Sequence, residues 1–303
     1  MWFRNLLIYR LTQETTWTAE ALEDALRNKP AKACSSQETS SYGFISPIKN
    51  TTDAVLLHSS QNFHLITAQK EEKLLPSTVI NDAVQEKTNQ IEREQMRKVY
   101  KKERNQIKDE IIQTLLPRAF IRRTKTTAAL LLEQGLIVID TANTNRAEEL
   151  LSALREVLGS LPIRPLRLKS EATHALTHWL KAQRSPQNFV ILDECELCDQ
   201  KEEGGVIRCK RQDLNSEEIQ LHINSGKQVT QLALEWRDKL SFIVNNKLVV
   251  KRLAFKDILR EQVANDINED PLAQFDATFI LMMLTLTEFL PDLFEALGGE
   301  DKS

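Results

Sequence analysis

Residues 90–125 read QIEREQMRKVYKKERNQIKDEIIQTLLPRAFIRRTK, and this stretch decides the reading of the chain. Arg93, Arg97, Lys98, Lys101, Lys102, Arg104, Lys108, Arg118, Arg122, Arg123 and Lys125 stand there against Glu92, Glu94, Glu103, Asp109 and Glu110. The whole chain of 303 residues carries a formal charge of −3. So concentrated a positive surplus in a slightly acidic chain points to a surface for a polyanion, with nucleic acid the first candidate. Pro76 and Ser77 suit a helix start, and neither glycine nor proline interrupts Thr78 to Leu116 before Pro117. Ile80, Val84, Ile91, Val99, Ile107, Ile111 and Leu115 recur at helical spacing, which predicts one helix with one apolar stripe. Unbroken, it would reach roughly 55–60 Å, so part of it should project or bridge. A solvated face with pairs such as Glu94–Lys98 would explain the acids but not the uncompensated bases. Beyond Pro117, Phe120 sits among Arg118, Arg122 and Arg123, either as a local core plug or as a finger meeting a groove or a partner subunit.

Working outward, hydrophobic residues make up 41% and charged residues 27%, ordinary values for a folded chain with a substantial core. The apolar start, Met1 to Arg10, is too short for a membrane span and lacks the order of a secretory signal. The apolar run Phe279–Leu286 is also below spanning length. A cytoplasmic protein without a membrane partner is expected, with Cys34, Cys195, Cys198 and Cys209 as reduced thiols. Cys195 and Cys198 form a C-x-x-C pair, followed by Cys209 and His222, but a second close pair is missing and no metal site is expected.

The chain divides into four regions: 1–75, α+β; 76–125, the basic helix and finger; 126–185, α+β; and 186–303, a sheet with helices. Strands are predicted at 2–11, 40–48, 54–58 and 62–69, with a helix at Thr18–Asn28 capped by Thr18. A hairpin over 127–140 turns at Glu133-Gln134-Gly135. Helices follow at 144–158, closed by Gly159, and at 172–183. Strands at 189–196, 204–210, 227–235, 239–244 and 248–253 surround a short helix at 215–223. The end, Asp276–Leu297, is an all-round apolar helix that Pro291 kinks or divides, and such a helix must be buried.

Catalytic signals are weak. Asp193, Glu194 and Glu196 near a strand end could hold a metal in a nuclease, but only alternate members share a face. Ser225-Gly226-Lys227-Gln228 lacks the upstream glycine of a phosphate-binding loop. His174 and His178, four apart on a helix, lack the glutamate of a zinc protease and read as surface histidines.

The segments Met1–Leu11, Lys70–Pro76, Leu115-Leu-Pro-Arg-Ala-Phe120, Gly159-Ser-Leu-Pro162, Arg208-Cys-Lys-Arg-Gln-Asp-Leu214 and Phe275-Asp-Ala-Thr-Phe-Ile-Leu-Met282 resemble the bacterial RdgC family, in order and over essentially the whole chain. The resemblance implies an α+β fold with mixed or antiparallel sheets, a long projecting basic helix and finger, and a ring-forming homodimer. Duplex DNA would pass through the ring without sequence preference, with single-stranded DNA bound more weakly. RecA-dependent recombination would be restrained, at the nucleoid and without a cofactor. It further implies that Phe120 and Gln212 make dimer contacts. Residue chemistry and resemblance together nominate Arg97, Lys98, Lys101, Arg104, Arg118, Arg122, Arg123, Lys210, Arg211 and Lys227 as the phosphate-facing set. An acidic exterior including Glu295, Glu300 and Asp301 would keep DNA off the outside. The competing readings are a metal-dependent nuclease and a structural adaptor that uses the long helix for protein partners.

Overall fold

The structure is a computed structural model and describes residues 2–15, 17–48, 55–199, 204–259, 261 and 270–302. The polar tract Lys49–Asp53 lies outside them. Two antiparallel sheets organise the chain. The first uses β1 (Leu7–Leu11), β2 (Ser40–Ile45), β3 (Leu57–Ser60), β4 (Phe63–Leu74), β5 (Phe120–Leu131), β6 (Leu136–Ile139) and β7 (Ile163–Pro165). Its order is β2-β4-β5-β6-β1-β7, with β3 also pairing β4. The second runs β12-β11-β10-β8-β9, from β8 (Phe189–Cys198), β9 (Val206–Lys210), β10 (Gln228–Trp236), β11 (Leu240–Asn245) and β12 (Val250–Phe255). The expected α+β class with antiparallel sheets is therefore observed. Regions 1–75 and 126–185, expected as separate units, share one sheet, because β4 pairs with β5 along its whole length.

Helices cover the sheets according to their apolar stripes. In α1 (Ala19–Arg27), the Thr18 side chain accepts from the Ala21 amide at 3.2 Å, as the sequence predicts, and Leu22 and Leu26 face inward. α4 (Thr144–Leu158) ends at Gly159, whose φ of 75° suits a residue without Cβ. Leu22 and Leu26 of α1 and Leu150 and Leu154 of α4 join Ile66, Leu130, Ile137 and Ile139 in one core on one face of the first sheet. Gly43 in β2 is obligatory for a different reason: a Cβ there would lie 2.6 Å from the backbone of Pro30 and Ala31.

The opposite face of that sheet shares a core with the second sheet. α7 (Pro271–Ala296) contributes Phe279, Met283, Leu286, Phe289, Leu290 and Leu293, all buried. Leu176, Trp179 and Leu180 of α5 (Ala172–Ala182) and Ile219 and Ile223 of α6 (Glu217–Asn224) complete it. α7 is long and apolar enough to cross a bilayer, yet most of its apolar side chains are taken up by this core, with Leu272 and Leu284 left exposed. Pro291 does not divide it. The segment before β1 stitches the sheets together: Leu6 N–H donates to Val250 O at 2.8 Å and Val250 N–H to Leu6 O at 3.1 Å. The expected strand at 2–11 thus splits its pairing between both sheets.

Candidate nucleic-acid interface

The chain leaves the first sheet at Leu74 and re-enters at Phe120, its direct register partner. Everything between is an arm. The single long helix predicted over 78–116 is not formed: α2 (Ser77–Gln95) and α3 (Lys101–Leu115) fold back on each other. The reversal comes at Met96, whose φ of 49° is left-handed. The break has a physical cause that a scan for glycine and proline misses. One long helix would leave its stripe in water, whereas folding back buries Ile80 and Val84 of α2 against Ile107 of α3, flanked by Leu75, Ile91, Val99, Ile111 and Ile112. Polar groups hold the turn. The Val99 N–H donates to Glu92 Oε1 at 2.9 Å, and Arg97 grips Glu103 through two bonds of 2.5 and 2.6 Å. That hydrogen bonding lifts the Arg97 pKa above its ordinary value and lowers that of Glu103.

Around this turn the sequence-nominated cations fall into two groups. Arg97 and Arg104 are engaged, the latter donating to Gln85 Oε1 at 2.9 Å. Lys98 and Lys101, with Lys102 beside them, are exposed and have no ion-pair partner among the described residues. Of the nearby carboxylates only Glu103 is ion-paired, with Arg97, while Glu92 and Glu94 accept from the neutral Val99 N–H and Gln90 amide and keep their charge, so Arg93, Arg97, Lys98, Lys101, Lys102 and Arg104 outnumber the acids. The tip is therefore a compact cationic surface.

The stretch beyond Pro117 is a strand, which the sequence reading did not predict before residue 127. After a short 3-10 turn, Leu116–Arg118, β5 begins at Phe120 and pairs with β4 from Leu74 onward. Phe120 is 84% exposed, so it is no core plug. Arg118 is exposed. Arg122 pairs with Glu72 across the ladder, and Arg123 Nε lies 2.7 Å from Glu71 Oε2. That bond holds the Glu71 carboxyl below its ordinary range, helped by the Cys34 amide.

A second polar surface lies on the solvent face of the second sheet. Register places Lys210 opposite Glu194 and Arg208 opposite Glu196. Arg208, Lys210, Lys251 and Arg252 line a shallow cleft of about 330 Å³ with those two glutamates. Arg252 lies 2.5 Å from Glu194, and its hydrogen bond holds that carboxyl below the ordinary value. Burial pushes the Glu196 carboxyl up, but hydrogen bonds from Arg208, Gln231 and Thr230 outweigh it and leave it lowered. Arg211 and Gln212 follow β9 and are exposed, with the Gln212 N–H donating to Asp193 O at 3.2 Å. Sequence reading named Lys210 and Arg211 but missed Arg208, Lys251 and Arg252. The available signal was the alternation of cations in Arg208-Cys-Lys210, which sends both to one face.

Two expectations need correction. Lys227 is only 15% exposed and its Nζ lies 2.8 Å from Asp199 Oδ2, so its charge is already matched. Glu300 is not part of an acidic exterior: its side chain is 8% exposed and accepts from Arg10 Nε at 2.6 Å. The C-x-x-C pair is split by function of position, with buried Cys195 opposite Cys209 and Cys198 beside Thr230 at 3.5 Å. Burial pushes the Cys195 thiol up to about 12, the reverse of a metal-ready thiolate. Among the described residues no group of three His, Cys, Asp or Glu side chains could hold a metal ion. His174 and His178 are exposed on α5.

These features define a class: an antiparallel α+β protein of two sheets, with a cation-bearing helical hairpin inserted between adjacent strands. Comparison with known proteins gives the family. A family model described as "Putative exonuclease, RdgC" matches residues 1–300. The chain is 60% identical to the "Recombination-associated protein RdgC" of Pseudomonas syringae pv. tomato, covering 99% of this chain and 98% of that one. It is 60% identical to the protein of that name from Pseudomonas aeruginosa LESB58 and 58% identical to that from Pseudomonas putida KT2440, with the same coverage. The chain belongs to the RdgC family.

Proposed function

We propose that this chain binds duplex DNA without sequence preference, encircles it as a ring-shaped homodimer at the nucleoid, and restrains RecA-dependent recombination without catalysing a reaction. The observation that carries the reading is the arm's tip, where Lys98, Lys101 and Lys102 stand exposed without an ion-pair partner among the described residues and the bases outnumber the acids. Mobile ammonium groups on an exposed turn suit phosphates and leave base edges unread. Arg118 near the arm's base, and Lys210 and Lys251 in the second-sheet cleft, which have no ion-pair partner among the described residues, offer further cations. The relatives' name supports the recombination setting. The exposed ring of Phe120 supports its role in ring closure, since an aromatic at a projecting ribbon end calls for a covering partner.

The family model's description favours a second reading, a nuclease. Glu194 and Glu196 do share a face, as strand alternation predicts, but each is engaged by an arginine. A divalent ion would have to displace both guanidiniums, which favours a binding role.

Lys98→Glu, Lys101→Glu and Lys102→Glu combined should abolish a gel shift with duplex DNA and leave circular dichroism unchanged. For the wild type, neutralising about six phosphates would make log K fall with a slope near −5 against log salt. Unchanged affinity in the triple variant would overturn the assignment, and cleavage of duplex with magnesium or manganese would establish the nuclease instead.

A further inference from the structure

Phosphate binding leaves two side chains of the arm's tip unused. Met96 is 90% exposed and Tyr100 75% exposed. Met96 closes α2 in a left-handed conformation, and Tyr100 occupies the N-cap of α3 without making a capping hydrogen bond. Serine, threonine, aspartate or asparagine there would satisfy the first-turn N–H groups, by about 1 kcal/mol over a residue that cannot. A thioether and a phenol ring left in water at one turn add nothing to the stability of the hairpin, and side by side with exposed lysines they form a mixed apolar and cationic surface suited to a ligand that covers both.

The surroundings say what that ligand is. Lys98, Lys101 and Lys102 flank the two apolar side chains, and none has an ion-pair partner among the described residues. A second copy offering the same turn would bring like charges together. A ligand that satisfies both features must carry dense negative charge and flat apolar faces at the same spacing. Unstacked nucleobases on their phosphate backbone have that chemistry, and every base has a π-face, so stacking is tolerant of sequence.

We propose that the hairpin tip engages unstacked bases, with Tyr100 stacking on a base and Met96 closing over its edge. Affinity is then highest where a duplex is bubbled, gapped or frayed. The inference rests on the nucleic-acid reading above and deepens it, from phosphates alone to phosphates plus exposed bases.

The test is fluorescence anisotropy with the full chain, using a blunt duplex and the same duplex with a central bubble containing 2-aminopurine. Wild type should bind the bubble more tightly and change the 2-aminopurine emission. Tyr100→Ala should weaken bubble binding five- to hundredfold, as stacking worth about 1–3 kcal/mol per base requires, and change duplex binding less than twofold. Tyr100→Phe should retain the preference. Equal loss on both substrates, or no emission change with wild type, overturns the inference and leaves duplex binding standing. Wild type that binds neither substrate overturns the underlying function. Loss of dimer on Tyr100→Ala in sedimentation would make the tip a subunit contact and equally overturn it.

Discussion

Asp292 concentrates three donors on one carboxylate oxygen. Its Oδ2 accepts from Trp236 Nε1 at 2.8 Å, from Asn188 Nδ2 at 3.0 Å, and lies 2.9 Å from Arg237 Nη2. Trp236 is fully buried, stacked edge-on against Phe289 at 5.5 Å, and Arg237 sits 5.0 Å over its ring. Asp292→Ala would strand a buried indole N–H, which costs about 1–3 kcal/mol. Chemical denaturation should read that loss, while DNA affinity stays unchanged because the side chains bonded to Asp292 (Trp236, Asn188 and Arg237) are outside the nominated phosphate-facing set. None of this was legible from the sequence, where Asp292 is one of many acids and Pro291 draws the eye. Local signals fared better: Thr18 caps α1 and Gly159 closes α4 because each acts within one turn of its own position. The roles of Lys227 and Glu300 were illegible for the opposite reason, since Asp199 and Arg10 reach them through tertiary contacts that spacing does not encode.

At the scale of elements, strand alternation and turn chemistry located most of the second sheet, from β8 to β12, within a few residues. The arm shows where such reading stops. Periodicity continues across Met96–Tyr100, so the pattern alone cannot tell one helix from two that fold together. The deciding term is burial of a stripe that has no other partner, a property of the pair. The two alternatives differ in length. Spin labels at Thr78 and Thr114, both exposed, would sit roughly 54 Å apart in an unbroken helix. In the hairpin they report a separation of about 10–20 Å, set by interaxial packing of 8–10 Å plus label reach. Electron paramagnetic resonance distances near the longer value would refute the hairpin.

For the molecule as a whole, two histidines, the buried His64 and the largely buried His58, connect stability to pH. Burial lowers the His58 pKa, with Asp276 at 3.0 Å partly opposing, and burial lowers that of His64. His58 also meets Phe275 and Phe279 edge-on, which anchors the start of α7 to β3. Both folded-state values lie below the unfolded value of about 6.5, so the unfolded chain binds these protons first. Stability is fully present above that pH and declines as pH falls through it, by up to about 1.4 kcal/mol per pH unit for each histidine. Urea titrations at neutral and mildly acidic pH should reveal the slope, and His58→Phe should reduce it. A flat profile would place both imidazoles in water.

Leu74 and Phe120 face each other across the ladder, so the arm begins and ends at one rung. Topologically it is an oversized hairpin loop, and a two-residue turn could replace residues 75–119 without changing the path of any other strand. The two main cores owe nothing to it, since Ile80, Val84 and Ile107 form a cluster of their own. Selection could therefore lengthen, recharge or retune that excursion while the body stayed constant, and drift in one would leave no debt in the other.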